Sequence, residues 1–563
     1  MKNKFLKLIC LLLCLALALS AFAGCKGKNT GKKTKKNTKK NASVSSELSS
    51  STSSDEWIDD EPDDSFEKEN PVDEEPIDED PEDLEVAVAN VKNATPLTKN
   101  VMGAGMGVYF PSTFMDADLG LATKENVANA EFDRLKYMGI HTVRSMFKLR
   151  WVVGKDKNGS EDWESERMQA YYKWMQAMKD RNIDVLLNPW YQEVVTMDDS
   201  ASDTTYFWGD TFEKTVDNWG ALMTKVFLKL RAKGFTNANG LILFTEPAIP
   251  SKLKEDPQLN EKYIVIAKNL HSHLKAAGIR QNVRIIGPNY PSQDTNLLDK
   301  CVAEAPECFD VLSSHRYGKL PEVGNLASDL MPDVVTSEYE FIRGHLDTFN
   351  KQGKQFWLDE YGVNTGGNNY GISDHGEDNE YFGIQYTAFY NCISNIEGIT
   401  GACIWTIADQ NWPESTGTNL GAGFYKGVLR HGFLPDVRKT LIPKTQYYGI
   451  SLYMKYTGGR SGNTVYYSET ENLGVTVSAR QLADGNWTFI VTNLNVEDTL
   501  LKLNLEKALG GIKLYRHQYV VGEITPTNAG KIIPANKTIK NVKTGFTDVL
   551  KPCSVAVYTT VKG

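Results

Sequence analysis

The sequence has few of the residues that mark metal sites and disulfide frameworks. It contains 8 cysteines and 8 histidines in 563 residues, without a CxxC pair or a regular cysteine spacing. The two closest histidines, His271 and His273, fall two apart on a predicted helix and therefore point in different directions. We expect no metal site. Beyond the N-terminal segment an odd number of cysteines remains, which argues against an essential disulfide set but leaves a bridge between the first two open: Cys301, Cys308, Cys392, Cys403 and Cys553.

A phosphate-binding loop and an excess of positive charge are also missing. Gly103, Gly105 and Gly107 lack the context of a dinucleotide-binding loop, and no segment has P-loop spacing, so we expect no cofactor. The net charge of −9, from 62 basic and 71 acidic residues, speaks against a nucleic-acid binder. Hydrophobic residues make up 41% of the chain, which is ordinary for a globular protein with a large core.

The negative charge is confined to one part of the chain. Residues 1–24 carry +3, residues 25–54 carry +7 and residues 55–85 carry −17, which leaves −2 for residues 86–563. Residues 25–85 have no apolar periodicity and read as a disordered charged linker. The acidic run could bind calcium or a partner, but we interpret it as a solvated spacer.

The N-terminus has the pattern of an export signal. Lys2, Lys4 and Lys7 precede an apolar run that is too short to span a bilayer, and residues 1–24 therefore read as a signal peptide. The signal ends in small residues, which Cys25 follows. This pattern resembles a bacterial lipobox, in which the cysteine becomes the lipidated first residue. The alternative is an ordinary cleaved signal with an incidental cysteine. We expect an extracellular lipoprotein, held by a lipid anchor to the membrane of a Gram-positive type of cell envelope.

Short apolar runs alternate with amphipathic stretches from about residue 98. Eight such units predict parallel strands with crossover helices and favour an α/β fold, a (β/α)8 TIM barrel, over residues 86–458. A doubly wound open sheet is the alternative. The strand-rich residues 459–563 predict a C-terminal β-sandwich domain, with which a strand at 86–91 could pair.

Two glutamates fall at the ends of predicted barrel strands. Glu246 follows the fourth strand and Glu360 follows the seventh, and the carboxyl ends of barrel strands meet at one face. Two carboxyls that converge on one cleft are the minimal apparatus of glycoside hydrolysis. One carboxyl protonates the leaving oxygen, and the other attacks the anomeric carbon.

The residues around these glutamates resemble a known group of enzymes. The stretches at 244–247 (Phe-Thr-Glu-Pro) and 357–362 (Trp-Leu-Asp-Glu-Tyr-Gly) look like the acid/base and nucleophile motifs of glycoside hydrolase clan A, and most resemble the cellulase-like family five. The resemblance covers about residues 98–457. Four further positions match that family in order: Arg144 on strand two, His315 and Tyr317 of the His-x-Tyr motif on strand six and Trp405 on strand eight.

The resemblance implies a role for each matched residue. Glu246 would be the general acid and then base, and Glu360 the nucleophile of a retaining reaction. Arg144 and Tyr317 would orient Glu360, and His315 would support Glu246 or a sugar hydroxyl. We expect Trp190 and Trp405 to contact the sugar itself. Thr245, the residue before the acid/base, should contact it as well.

Two positions depart from the family pattern. Thr245 stands where the family has an asparagine that bonds the 2-hydroxyl of the sugar, and Asn188-Pro189-Trp190 stands where a histidine is usual. From the resemblance as a whole we expect an endo-β-glycanase that acts on a poly- or oligosaccharide as a monomer. An exo-acting β-glycosidase of another clan A family and a non-catalytic glycan-binding lipoprotein remain as alternatives.

Overall fold

Two short strands, β1 (Glu85–Val91) and β2 (Thr98–Val101), precede eight parallel strands that close into a barrel. The computed structural model describes residues 84–108, 132–153, 160–189, 211–247, 258–290, 296–319, 354–364, 380–405, 407, 410–411, 428–429, 442–472, 474–527 and 530–563.

Each barrel strand pairs in parallel with the next one along the chain, and the last pairs with the first. Because parallel neighbours need a crossover connection, this arrangement produces the strand–helix alternation seen in the sequence. The closed order confirms the (β/α)8 barrel and excludes the open doubly wound sheet. The strands are β3 (Gly105–Val108), β4 (Thr142–Met146), β5 (Asp184–Asn188), β6 (Ala238–Ile242), β7 (Arg284–Tyr290), β8 (Val311–Lys319), β9 (Gln355–Asn364) and β10 (Ile399–Ile404).

The crossover helices form where the sequence has helical apolar spacing, and α1 and α2 also begin after a side-chain cap. The Thr211 side chain accepts a hydrogen bond from the Lys214 amide at the start of the longest helix, whose buried face includes Trp219. Part of the helix predicted before β4 is described, at residues 132–137, and the one predicted at 336–350 lies outside the described residues. The helices are α1 (Glu166–Asp180), α2 (Phe212–Ala232), α3 (Leu259–Ala276), α4 (Asn296–Glu304), α5 (Tyr381–Ser394) and α6 (Thr445–Lys455).

An apolar layer fills the barrel interior below the carboxyl ends of the strands. It combines one inward side chain from each of several strands, as in other barrels of this type. Because side chains alternate along a strand, the residue two positions further on faces the same interior, one layer higher. The layer contains Met102, Leu186, Ile242, Ile286, Val311, Trp357 and Cys403.

Two packed sheets form the predicted β-sandwich, in the orders β14-β1-β17-β20 and β19-β18-β21-β16-β15-β13-β2. Strand β1 pairs with β14 and β17, and β2 pairs with β13, so strands from the segment before the barrel complete both sheets. The C-terminal strands are β13 (Asn463–Tyr466), β14 (Ser468–Thr470), β15 (Val475–Gln481), β16 (Trp487–Asn493), β17 (Thr499–Leu505), β18 (Ile512–Val520), β19 (Lys537–Val542), β20 (Gly545–Leu550) and β21 (Ser554–Thr559); a separate pair, β11 (Gln410–Asn411) and β12 (Val428–Leu429), follows β10.

The sandwich packs against the barrel through α5. The Asn391 amide donates to the Thr476 hydroxyl at 3.0 Å and to the Ile490 carbonyl at 3.1 Å. The buried Arg480 guanidinium donates to the Thr457 carbonyl and to the Tyr390 hydroxyl, both at 2.7 Å. These buried polar contacts pair groups that would otherwise lose their solvation, and they fix the two folds together.

No disulfide forms between Cys301 and Cys308, or between any other cysteines of the described residues. Within those residues no helix combines the length and the apolar character that crossing a bilayer would require.

Candidate active site

Irregularities in two barrel strands turn additional side chains into the barrel mouth. In β9, Leu358 pairs with Ser314 and Glu360 with His315, so Asp359 is an extra residue on its strand. A bulge of this kind shifts the alternation by one position and re-aims the following side chain. Asp359 and Glu360 therefore both contact the same interior histidine, although they are adjacent in sequence.

The two predicted catalytic glutamates come together at this mouth. Glu246 follows β6 and Glu360 lies in β9, and each can place a carboxylate oxygen within 4.8 Å of the other and of a nitrogen of His315. The Nδ1 atom of His315 lies 2.7 Å from Glu246 Oε1, and its Nε2 atom lies 3.7 Å from Glu360 Oε2. His315 therefore lies between the carboxyls and contacts both.

Arg144 is completely buried and binds Glu360. Its Nη1 atom donates a hydrogen bond to Glu360 Oε2, and Nε donates to Asn188 Oδ1 at 2.8 Å. Burying a charge is costly unless a partner and hydrogen bonds compensate it, and this pair meets both conditions. The structure thus places the predicted orienting arginine on the predicted nucleophile.

The two positions that depart from the family pattern contact each other. The Thr245 hydroxyl donates to Asn188 Oδ1 at 2.7 Å, and Arg144 Nη2 lies 3.5 Å from the same hydroxyl. All three side chains are buried. Thr245 and Asn188 therefore support Arg144, and through it Glu360, in this structure.

Charge and burial oppose each other at His315. Burial lowers the pKa of His315, but the attraction of Glu360 and the hydrogen bond to Glu246 outweigh it, and the pKa is raised. Burial raises the pKa of Asp359, against the attraction of His315 and Arg144. Burial lowers the pKa of Arg144, but Glu360 and Asp359 outweigh it and raise this pKa as well. The pKa shifts thus favour the charged forms of Arg144 and His315, which lie among the three carboxyl groups of the site.

The backbone of Glu246 has an uncommon conformation. Its φ is +42°, in the left-handed region that a residue with a side chain adopts at a cost of about 1–3 kcal/mol. The Glu246 amide donates to the side-chain oxygen of Asn289 at 3.0 Å. Such conformations persist where the surroundings hold them, and they cluster at functional sites.

Trp405 lies beside the charged groups and is partly exposed. The Cζ atom of Arg144 lies 5.3 Å from the centroid of its ring. A Cβ atom added to Gly107 would lie 2.4 Å from the Trp405 ring, so this strand position requires a glycine. The exposed part of the ring is available to a ligand at the mouth.

Three predicted residues remain untested by the described side chains. Trp190 and Cys25 lie outside the described residues. Tyr317 belongs to β8, but its side chain is not among those described.

Sequence reasoning did not assign three buried polar residues to the site: Asn188, Asn289 and Asp359. Asn188 and Asn289 lie at the carboxyl ends of β5 and β7, and Asp359 lies in the middle of β9. Asn188 and Asp359 follow Leu186 and Trp357 of the apolar layer by two residues, so a polar residue two positions after an inward one is a signal that could have found them. Asn289 carries no such signal, because it is an extra residue in β7.

Glu246, His315 and Glu360 are also groups that could ligate a metal ion. The Nη1 atom of Arg144 lies 3.4 Å from His315 Nε2 and is bonded to Glu360. A fixed guanidinium in this position competes with a bound cation for the same carboxylate. We therefore interpret the cluster as paired acid and base groups.

Comparisons with known proteins agree with this geometry. The model of the family "Cellulase (glycosyl hydrolase family 5)" matches residues 110–408, which include Arg144, Glu246, His315, Glu360 and Trp405. No curated protein matches the sequence significantly.

Several solved structures share the fold. A family 30 endoxylanase from Clostridium papyrosolvens C71 has a TM-score of 0.54 at 14% identity, over 84% of this chain and 99% of that one. An α-L-arabinofuranosidase from Thermotoga maritima has a TM-score of 0.56 at 14% identity, with the same two coverages. A family 51 arabinofuranosidase from Xanthomonas axonopodis pv. citri has a TM-score of 0.55 at 13% identity, again over 84% and 99%.

At these identities the solved structures establish a common fold and nothing finer. The family match is different, because it spans more than half of the chain and contains both motif glutamates. The chain therefore belongs to glycosyl hydrolase family 5, the cellulase family.

Proposed function

We propose that the protein hydrolyses β-linked glycans with retention of configuration, with Glu246 as acid/base and Glu360 as nucleophile. The observation that carries this proposal is the approach of their carboxylate oxygens to within 4.8 Å. Retaining enzymes hold the two carboxyls about 5–5.5 Å apart, whereas inverting enzymes leave about 6.5–9.5 Å for a water molecule.

The environments of the two glutamates support different roles. Glu360 is 9% exposed and bonded to Arg144, whose positive charge favours a carboxylate ready to attack. Glu246 is 21% exposed and bonded to His315, so it has access to water and a partner with which to share a proton. This asymmetry suits a nucleophile and a proton donor.

The proposed reaction has two balanced steps. An oxygen of Glu360 attacks the anomeric carbon, the bond from that carbon to the leaving oxygen breaks, and Glu246 gives its proton to that oxygen. A water molecule then attacks the same carbon while Glu246 takes its proton, and the bond to Glu360 breaks. The sugar leaves with its original anomeric configuration.

The proposed substrate is a neutral polysaccharide, cut internally. Residues 86–563 carry a formal charge of only −2, so the folded part offers no strong attraction or repulsion to a charged polymer. The similar folds include an endoxylanase and an enzyme named as an endo-β1,6-glucanase, which motivates both glycans as substrates to test. Exo action is the alternative.

A panel of β-glucans, mannan, xylan and aryl β-glycosides tests the proposal. We expect turnover by the wild type, β-configured initial products by NMR, and oligosaccharides of several lengths. Glu360→Gln and Glu246→Ala should each lose activity by at least ~10²-fold while the thermal unfolding midpoint changes little. The surface variant Glu161→Gln is the control.

The outcomes separate the alternatives. Single-sugar release would favour the exo reading, and α-configured products would contradict retention. Glycan binding by a wild type that turns over no member of the panel would support the non-catalytic alternative.

We also propose that a lipid on Cys25 holds the protein, as a monomer, to the outside of the cell membrane. Its support is the lipobox-like sequence and the charged linker that follows it. Cys25→Ser should move the protein from the membrane fraction to the medium, whereas Cys14→Ser, inside the signal, should leave it on the membrane. Membrane retention of the Cys25 variant would contradict the anchor.

A further inference from the structure

The side chain of Asn289 joins the two glutamate-bearing segments. Its Oδ1 atom accepts the Glu246 amide hydrogen at 3.0 Å, and its Nδ2 atom donates to Asp359 Oδ2. Asp359 directly precedes Glu360 in β9. One buried amide thus connects the backbone of one proposed catalytic residue to the neighbour of the other.

Both ends of this connection arise from strand irregularities. In β7, Pro288 pairs with Ser313 and Tyr290 with Ser314, so Asn289 is an extra residue there, as Asp359 is in β9. Asn289 has a φ of +58°, and asparagine tolerates this region better than most residues with a side chain. The two irregular residues are therefore the two that bind each other.

Asn289 has little freedom to turn its amide over. It is fully buried, and its backbone amide donates to the Ser313 hydroxyl at 3.2 Å. The Glu246 backbone amide can only donate, and Asp359 Oδ2 accepts from Nδ2, so the oxygen of Asn289 faces Glu246 and its nitrogen faces Asp359. Asp359 in this way selects the orientation in which Asn289 can hold the Glu246 backbone.

Among the described residues, Asn289 is the only group that donates a hydrogen bond to the Asp359 carboxylate. Asp359 is completely buried, and its second oxygen, Oδ1, has no hydrogen-bond partner among the described residues and lies 3.8 Å from His315 Nε2. A buried carboxylate in which one oxygen lacks a hydrogen bond costs free energy of folding. A role for the other oxygen explains why the residue is present despite this cost. Orienting Asn289 supplies that role.

We propose that Asn289 is a positioning residue that holds Glu246 in the backbone conformation needed for proton transfer, and that Asp359 orients Asn289. This inference rests on the proposed function, because it assumes that Glu246 is the acid/base. It implies that losing Asn289 impairs proton donation more than nucleophilic attack.

The leaving group provides a test that a merely structural role would not pass. A 2,4-dinitrophenyl glycoside departs without much help from an acid, whereas a phenyl glycoside needs the proton from Glu246. In the full-length protein, Asn289→Gly should lower kcat/KM on the phenyl glycoside by roughly 10²-fold and on the dinitrophenyl glycoside by less than about 10-fold. Glycine keeps the positive φ available, so the change removes the side chain without straining the backbone.

Further variants separate the roles of donor and acceptor. Asp359→Asn keeps an oxygen that can face Asn289 but no longer excludes the flipped amide, so it should shift the ratio between the two substrates in the same direction as Asn289→Gly, by a smaller factor. Asn289→Asp keeps the oxygen that faces Glu246 but removes the donor, and it should shift the ratio in the same direction as glycine; it also replaces Asn289→Gly if that variant fails to fold. Matched controls are Asn541→Gly, also at a φ of +58°, and Asp548→Asn, a buried aspartate of the sandwich.

A crystal structure of Asn289→Gly adds a readout that needs no substrate. We expect the backbone of Glu246 to leave its φ of +42°. Equal losses on both glycosides, or full activity with Glu246 unmoved, would overturn the positioning role. A wild type that turns over no glycoside would defeat the proposed function, and the Glu246 conformation in the variant would still decide whether Asn289 holds it.

Discussion

Arg144 and Glu360 form an ion pair that is almost completely removed from water, with side chains 1% and 9% exposed. The same guanidinium reaches Asn188 and the Asp359 carbonyl. A pair this buried can be broken from one side only at high cost, since the remaining charge has neither solvent nor partner.

Replacing Arg144 should therefore damage both stability and activity. We expect Arg144→Gln to lower the free energy of unfolding by roughly 3 kcal/mol and kcat/KM by about 10²-fold. Arg144→Lys keeps the charge but loses the planar guanidinium. Its stability and kcat/KM should lie between those of the wild type and of Arg144→Gln. Urea unfolding and aryl-glycoside kinetics measure these effects. Lys92→Gln, which breaks an exposed pair with Glu469, is the control and should leave the free energy of unfolding almost unchanged.

The stability of the protein should decrease as the pH rises above neutrality because of His315. Its pKa is raised above 6.5 in the folded protein, so the charged form is bound more tightly after folding. That stabilisation is complete below pH 6.5 and is lost as the pH rises through the raised value. Burial raises the pKa of Asp359, and this shift also makes the folded protein less stable as the pH rises. The contribution of burial at Asp359 remains when His315 is replaced.

Thermal unfolding of the wild type and of His315→Gln between pH 6 and 9 measures this contribution. The midpoint difference between the two proteins should be largest at the acid end and shrink toward the alkaline end. A difference that stays constant with pH would show that the charge of His315 does not contribute.

Thr245 should act through Asn188. Its hydroxyl donates to Asn188 Oδ1 at 2.7 Å, and Asn188 in turn accepts from Arg144. Thr245→Val removes this hydrogen bond with almost no change in shape, and we expect a loss of about 1 kcal/mol in unfolding free energy. Thr245→Ser keeps the hydroxyl and serves as the matched control. Equal stability of the serine and valine variants would mean that the bond contributes nothing.

The buried cysteines should be unreactive in the native protein. Burial raises the pKa of Cys308 and of Cys403 to about 12, which leaves very little thiolate at neutral pH. We expect peptides containing Cys301 and Cys308 to take up an alkylating reagent only after the protein is unfolded, and no reductant should be needed for this reaction. A Cys301–Cys308 disulfide peptide in the mass spectrum would contradict the unpaired state.

Much of the barrel is readable from the sequence because its strands and helices have different periods. The spacing at 211–232 predicts a helix, and α2 runs from Phe212 to Ala232. The apolar run at 183–190 predicts a strand, and β5 spans Asp184–Asn188. A chain with eight alternating strand–helix units can adopt few topologies, since neighbouring parallel strands require crossover connections.

The register shifts in β9 and β7 could not be predicted from the sequence. Alternation along a strand would point Asp359 inward and Glu360 away from it, yet both contact His315. The extra residue in β9 exists only relative to the partners on β8, so the sequence of one strand cannot reveal it. The same holds for Asn289 in β7.

By itself, the sequence determined the eight-unit alternation and the meeting of the two glutamates at one face of the barrel, because local periodicity and the common polarity of parallel strands decide both. Only the tertiary structure decided that β1 and β2 complete the sandwich, and that Asn289 and Asp359 meet beneath Glu246. Those features depend on pairing between segments far apart in the chain, and the free energy that selects them belongs to contacts that form only in the folded protein.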